Sequence, residues 1–437
     1  MKKLKIILTI MMIGSLLYLV RILAIRSEIS NIVTSQIHVK DNLEEAYKKC
    51  NLYTNLSTKE KLDDFNELLI RLEKNYIYYD YVKEKYWDRG KVIQQTKNLI
   101  KYTRNDLEFY YVLNDFINRT ENLAHLYLNT NIEFFPTAYS NESKIVQLLE
   151  NASVKEKYKT LEEILNLVEL KYDIFSHIPK ITYEYFSNTA YLKIPTFLED
   201  YSKKEISQSY KELYNQMPVE LEEFYKNLTD KYKYLVIDLR NNPGGFQLFG
   251  IEYLIAPLIK NPLKCEFKLL YNENEYNDIF FNSLMEYNDN NTIEYNEEHT
   301  TDFNFIKHYD NIKLNNCKLI KEVYHIQPKD IGVTFKGKIF ILCNDKCYSG
   351  CDNFINICKQ THFATIIGNR TKGDGFCISP FKIILNNSGL IVDYTATFGI
   401  NDDGSSNAIE GTRPDIELKD EDALTYIMEK TSSELYK

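Results

Sequence analysis

From residue 41 to residue 128 the apolar positions recur at helical spacing. Leu62, Phe65, Leu68, Leu69 and Leu72 form one stripe. It is opened by Ser57 with Glu60 three residues on, the pairing of a capping box. Two more helices are expected over 92–102 and 106–126. With no proline before Pro136, the whole stretch reads as a small helical bundle whose stripes are its core. Residues 129–182 form a connecting segment with one expected helix, 154–170. They amount to roughly half of what an inserted peptide-binding module of the PDZ type needs.

Between 183 and 420 the period changes. Residues 189–195 and 234–239 are short apolar runs of the kind that make buried strands. An amphipathic helix is expected over 204–228 and another near 248–259. Residues 272–312, rich in Asn, Glu, Asp and Tyr, read as an excursion from the core. Then a strand (338–343), a helix (349–360) and a strand (364–368) make a βαβ unit within some 30 residues. Residues 421–437 complete the chain as a helix. The expected fold class is α/β: an N-terminal helical bundle followed by a mixed α/β core containing βαβ units.

The first 30 residues follow a different pattern. Lys2, Lys3 and Lys5 precede an apolar run from Ile6 to Val20, and Arg21 and Arg26 flank a shorter one. A basic start followed by about fifteen apolar residues is the pattern of an export signal. No small-x-small cleavage site is evident behind it. If Arg21 snorkels to the interface, 4–25 is long enough to span a bilayer. The expectation is a signal anchor over 1–30, a membrane partner through that segment, and a main body outside the cytoplasm. Cleavage of the segment would make the protein secreted.

Bulk properties change this picture little. With 53 Lys and Arg against 62 Asp and Glu, the net charge of −9 leaves no basic stripe for nucleic acid. Six of the eight cysteines follow residue 300, in a spacing that fits neither a paired CxxC zinc site nor a small disulfide scaffold. No metal and no organic cofactor is implied.

Two pieces carry candidate chemistry. Asp238-Leu239-Arg240-Asn241-Asn242-Pro243-Gly244-Gly245 ends a buried strand, and its paired glycines permit close backbone approach to a ligand. N–H groups of Gly244 or Gly245 can point at one oxygen, as an oxyanion hole requires. Taken by itself it is equally well an ordinary strand-to-helix turn. The second piece, Asn344-Asp345-Lys346-Cys347-Tyr348-Ser349-Gly350, also follows a buried strand. Ser349 then opens a helix, where free N–H groups and the positive end of the dipole stabilise a developing alkoxide. A plain helix cap is the commoner role of such a serine.

These two pieces occur in order with Ile366-Ile367-Gly368-Asn369-Arg370-Thr371-Lys372-Gly373 and Gly411-Thr412-Arg413-Pro414-Asp415. Together they resemble the tail-specific (C-terminal processing) serine peptidase family over roughly 185–420. The resemblance implies a serine endopeptidase of peptides or proteins, with Ser349 as nucleophile and Gly350 with Gly244 or Gly245 holding the oxyanion. In the well-known branch a lysine about 25 residues after the serine is the base. Here Asp374 occupies that position and Lys372 stands two residues early. The chain is thus more similar to the branch related to the tricorn core protease, which uses an upstream histidine. That implies His125, in Asn122-Leu123-Ala124-His125, although the Asp-Gly of that branch's element is absent. A free imidazole titrates near 6.5 and suits a base at neutral pH. Glu410, before the Gly-Thr-Arg-Pro-Asp turn, is the candidate to orient the base or bind the substrate amine. A Ser349–Lys372 dyad is the variant. A non-catalytic ligand- or protein-binding member of the same fold, like the family's retinoid-binding relative, is the alternative from another class.

Overall fold

A computed structural model describes residues 2–53, 56–129, 152–168, 180–198, 208–287, 292–298, 303–307, 309, 311–314, 317–333, 335–378, 380–418 and 422–433. The helical part contains α1 (Lys2–Gln36), α2 (Leu43–Tyr53), α3 (Thr58–Asn75), α4 (Tyr79–Lys85), α5 (Lys91–Lys101) and α6 (Asp106–Asn118). The capping box forms as expected at α3: Ser57 Oγ accepts from the Glu60 N–H, and the Glu60 carboxylate accepts from the Ser57 N–H. Phe65, Leu68 and Leu72 are buried from that helix, and Trp87 stacks on Phe116 at 4.5 Å between ring centroids.

The N-terminal segment departs from the expected anchor. Ile29, Val33 and Ile37 are buried at helical spacing, so the second half of α1 belongs to the helical core. Arg26, expected to end an apolar span, instead forms a two-pronged ion pair with buried Glu108, at 2.8 and 2.9 Å. Burial works against that carboxylate, but Arg26 and Arg104 outweigh it and hold its pKa down to about 2. Among the described residues no helix is long and apolar enough to cross a membrane, so the transmembrane anchor over 1–30 is not supported. The expected helix 154–170 is Ala152–Val168; it buries Ile164, Leu165 and Val168, and Asn42 Nδ2 donates to the Leu167 carbonyl (2.9 Å). Much of the rest of 129–182, the connecting segment, lies outside the described residues.

A mixed sheet of six strands forms the centre of the α/β core. In chain order these are β2 (Thr182–Tyr185), β3 (Thr189–Lys193), β4 (Tyr234–Asp238), β8 (Lys338–Cys343), β9 (Thr365–Gly368) and β13 (Ile416–Glu417). Their order across the sheet is β13-β9-β8-β4-β3-β2, parallel except for β2. Every residue of β4 is buried, which is why its sequence is an unbroken apolar run rather than an alternation. β4 and β8 lie side by side, with Asp238 opposite Leu342. The two motif turns therefore leave the same edge, at the carboxyl ends of parallel strands, where open α/β sheets place their ligands.

Residues 272–312 are not the detached excursion that their polarity suggests. β5 (Leu263–Asn272), β6 (Ile293–Glu298), β7 (Cys317–Ile326) and β12 (Thr397–Ile400) make a second, antiparallel sheet in the order β12-β5-β7-β6. The helix Glu275–Tyr287 buries Phe280 and Phe281, the first stacked on Phe381 and the second on Tyr271. Burial alternates along β5, but in β6 it falls on Ile293 alone and in β7 on both faces, so those two strands carry no clear period. A third sheet joins β1 (Tyr127–Asn129) to β11 (Ile391–Tyr394) and β10 (Phe381–Ile384), pinning the end of the helical region to the core. The last helix is Ala423–Ser433.

Candidate active site

The Asp238–Gly245 turn is built as a scaffold before it offers anything to a ligand. Buried Asp238 accepts from Arg240 (2.7 Å) and from the Tyr191 hydroxyl (2.8 Å), and Arg240 reaches on to Asp422. Asn241 and Asn344 exchange hydrogen bonds of 3.0 Å, tying this turn to the one that carries Ser349. Asn242 Oδ1 accepts the Gly244 N–H at 2.8 Å. That donor is consumed, so Gly244 is not available to an oxyanion. Gly245 and Gly350 keep their N–H groups without a partner among the described residues. Gly244 has φ +99, and a Cβ there would meet the Tyr348 carbonyl at 2.5 Å and the Gly350 nitrogen at 2.8 Å. Only glycine lets these two turns touch.

Ser349 does not have the extended backbone of an ordinary helix cap. Its φ is 53° and ψ −125°, and its side chain caps nothing in the helix Gly350–Gln360 that follows. A non-glycine residue held in this region costs roughly 1–3 kcal/mol. The surroundings enforce it: the Ser349 N–H donates to the Gly373 carbonyl (3.0 Å) and its carbonyl accepts from the Asn353 N–H (2.9 Å). The hydroxyl is turned away from the helix, and its hydrogen-bond partner among the described residues is His125 Nε2, at 2.9 Å.

His125 reaches that place because the third helix stops early. Continuous helix to 126 was expected, but α6 ends at Asn118, and Glu121, Asn122, Ala124 and His125 all adopt positive φ. The chain winds tightly here to deliver a buried imidazole. On its far side His125 Nδ1 lies 2.5 Å from Asp374 Oδ2. The Tyr348 hydroxyl braces both: it lies 2.8 Å from Asp374 Oδ2 and 2.9 Å from the Asn122 carbonyl, and accepts the His125 N–H at 3.3 Å. Burial pushes the Tyr348 phenol well up, with Asp374 beside it adding to the shift, so it remains a neutral hydroxyl. Burial disfavours a charged His125, yet attraction to Asp374 leaves its pKa well above 6.5.

Asp374 is positioned by a buried network absent from the sequence reading. Asp352, in the first turn of the helix after Ser349, accepts from the Thr371 hydroxyl, from Asn407 Nδ2 (2.9 Å) and from the Gly375 N–H (3.1 Å). Thr412, of the Gly-Thr-Arg-Pro-Asp turn, donates its N–H to Thr371 Oγ1 at 2.7 Å. The loop 371–375 is thereby clamped on both sides. Burial raises the Asp352 pKa, and these donors oppose the rise.

Two sequence candidates lie elsewhere. Glu410 is not brought to the imidazole: its carboxylate sits 3.6 Å from Lys307 Nζ and 3.8 Å from Arg370 Nη1, at the half-exposed rim. Asp374 fills the place expected for it, since Nδ1 has room for one carboxylate. Lys372 points outward, its Nζ 5.2 Å from the centroid of the Tyr348 ring. In the sequence Asp374 is distinguished only by standing where a lysine base would be. An acid at the position where a lysine base would stand is itself the signal.

Behind the site lies Glu322 on β7, 1% exposed. Its Oε1 accepts from the Tyr295 hydroxyl at 2.9 Å, while Oε2 has no partner among the described residues. Burial pushes its pKa from 4.5 up to about 7, against opposing hydrogen bonds from Tyr295 and Tyr324. The folded state therefore holds this proton more tightly than the unfolded chain. The resulting stability is present in full below pH 4.5 and lost as pH rises through 7, by about 3 kcal/mol. Glu322→Gln, which cannot ionise, is expected to match the wild type at pH 4.5 and exceed it by about that amount at pH 8. Thermal denaturation of both proteins across that range checks this; parallel curves would refute it.

The profile of peptidase family S41 matches residues 188–418. Mature CPAF complexed with lactacystin superposes with a TM-score of 0.50 at 15% identity, covering 83% of this chain and 94% of that one. A lipoprotein from Streptococcus agalactiae gives 0.43 at 14%, covering 87% and 99%. The photosystem II D1 C-terminal processing protease gives 0.38 at 13%, covering 83% and 94%. No curated protein matches the chain.

Proposed function

The chain belongs to peptidase family S41 and is a serine peptidase, and from that premise we propose that it cleaves peptide bonds with a Ser349–His125–Asp374 triad. The single observation that carries this reading is the chain of contacts Ser349 Oγ–His125 Nε2 (2.9 Å) and His125 Nδ1–Asp374 Oδ2 (2.5 Å). With the Nδ1 proton directed at Asp374, Nε2 presents a lone pair to the serine hydroxyl. Ser349 Oγ attacks the scissile carbonyl as its proton passes to Nε2, and the imidazolium is held by the Asp374 carboxylate. The oxyanion lies in reach of the Gly350 N–H at the start of its helix, with Gly245 as second donor. The imidazolium then protonates the leaving amine, and water, deprotonated by the same nitrogen, frees Ser349.

Labelling by a fluorophosphonate probe tests the reading directly. Expected is one modified peptide containing Ser349; a folded sample that takes up no label would overturn it. The base is assigned by comparing two variants. His125→Ala is expected to lower kcat/KM by 10²-fold or more, while Lys372→Ala keeps most of it. The reverse outcome would establish a serine–lysine pair instead. Because the imidazole must be neutral to accept the proton and its pKa is raised, kcat/KM is expected to fall with decreasing pH along a limb lying above pH 6.5.

Action outside the cytoplasm is part of the proposal. It is supported by Lys2, Lys3 and Lys5 ahead of an apolar run, a pattern that export machinery reads. Cell fractionation with the full chain tests it, and recovery in the cytoplasmic fraction alone would refute it.

A further inference from the structure

The triad leaves one adjacent side chain unused. Cys377 Sγ lies 3.6 Å from His125 Nδ1, on the nitrogen that also faces Asp374 Oδ2. The three donor atoms, one sulfur, one imidazole nitrogen and one carboxylate oxygen, all lie within 4.8 Å of one another. His125 and Asp374 are buried and Cys377 is partly open. Four-coordinate zinc binds such a set with bonds of roughly 2.0–2.3 Å, which puts neighbouring ligand atoms about 3.3–3.6 Å apart. The Nδ1–Sγ separation is already at that value. Nδ1 and Oδ2 must part by roughly 1 Å, since a hydrogen bond between them is shorter than a tetrahedral edge.

We propose that His125, Asp374 and Cys377 form an inhibitory site for zinc or a similar borderline divalent metal, which switches the peptidase off by capturing the wrong nitrogen of its base. The inhibitory half rests on the triad reading above; the metal site does not. Metal binding proceeds by proton exchange. The thiol proton goes to solvent as Sγ becomes a thiolate ligand. The neutral imidazole keeps its one proton, which moves from Nδ1 to Nε2 as Nδ1 gives its lone pair to the metal. Nε2 then carries a hydrogen and donates to Ser349 Oγ where it formerly accepted. Asp374 is drawn from the imidazole to the metal in the same step. A fourth position is left for water, as in zinc sites with three protein ligands.

The test uses the full chain with cobalt and zinc. In Ser349→Ala, which needs no activity, one equivalent of Co²⁺ is expected to give a thiolate-to-cobalt charge-transfer band in the near ultraviolet. The band should vanish when Cys377→Ser or Cys377→Ala is added. Its absence from Ser349→Ala overturns the site. In the enzyme with Ser349 intact, micromolar Zn²⁺ should suppress fluorophosphonate labelling and a chelator restore it. The zinc concentration for half-suppression should rise at least tenfold in Cys377→Ser, each protein being referred to its own metal-free rate. Equal zinc sensitivity in the two overturns the switch. Absence of labelling even without metal would overturn the peptidase reading instead, and the cobalt spectrum would still decide the metal site.

Discussion

Ser349→Ala is expected to remove fluorophosphonate labelling entirely and to lower peptide turnover by roughly 10⁶-fold in kcat. The loss is that large because the serine and its base act as one unit. Without Oγ, the imidazole has nothing to activate and no covalent intermediate forms. The fold should survive. Ser349 owes its unusual backbone to the bonds from its N–H to Gly373 and from Asn353 to its carbonyl, and alanine keeps both. Thermal denaturation should therefore show a midpoint close to that of the wild type. Turnover persisting within tenfold of the wild type would mean that another group is the nucleophile, and the triad would have to be abandoned.

Asp374→Asn has the second largest expected effect, a fall in kcat on the order of 10⁴-fold. The substitution is gentle to the backbone, because Asn tolerates the left-handed conformation (φ 62) found there. It is severe chemically. An amide N–H facing His125 Nδ1 forces the imidazole proton onto Nε2, so the base offers Ser349 a donor instead of a lone pair. The same change removes the attraction that raises the His125 pKa. What activity remains should show its acid limb displaced to lower pH, a shift that a merely structural defect would not produce. A pH–rate profile and a kcat determination together check this. An Asn variant with unchanged kcat would show that Asp374 does not orient the base, and Glu410 would then have to be reconsidered for that part.

Glu410 and Asp374 also show what governs legibility. Both are acids near glycine-rich turns of the core, and no local pattern says which one faces the imidazole. The choice was made by a network of buried polar groups centred on Asp352, which clamps the loop 371–375. Its members, Thr371, Asn407, Gly375 and Thr412, are spread along the chain and signal nothing individually. The same holds for His125. It was expected at the end of a helix, yet it sits in a run of positive φ that no composition predicts. Such a conformation is bought by tertiary contacts, here with Tyr348 and Ser349.

Elements whose burial leaves a regular trace were legible from the residues alone. An unbroken apolar run ended by a turn identifies β4 and β8, and the spacing of β8, the helix after Ser349 and β9 implies a parallel unit. The capping box located the start of α3 to the residue. The Asp238–Gly245 and Ser349-Gly350 turns were recognisable because glycine is obligatory where two backbones touch. The second sheet was missed because in β6 only Ile293 is buried and in β7 burial falls on both faces, so that the alternation along β5 had no legible partner. The first 30 residues were legible only in part. Their apolar run is real, but Arg26 is committed to Glu108, a partner 82 residues away. Local periodicity thus determined the buried strands β4, β8 and β9 and most of the helices, and the glycines marked the two turns of the site. Tertiary structure decided which groups converge there, because Ser349 and His125 are 224 residues apart and only packing brings them to 2.9 Å.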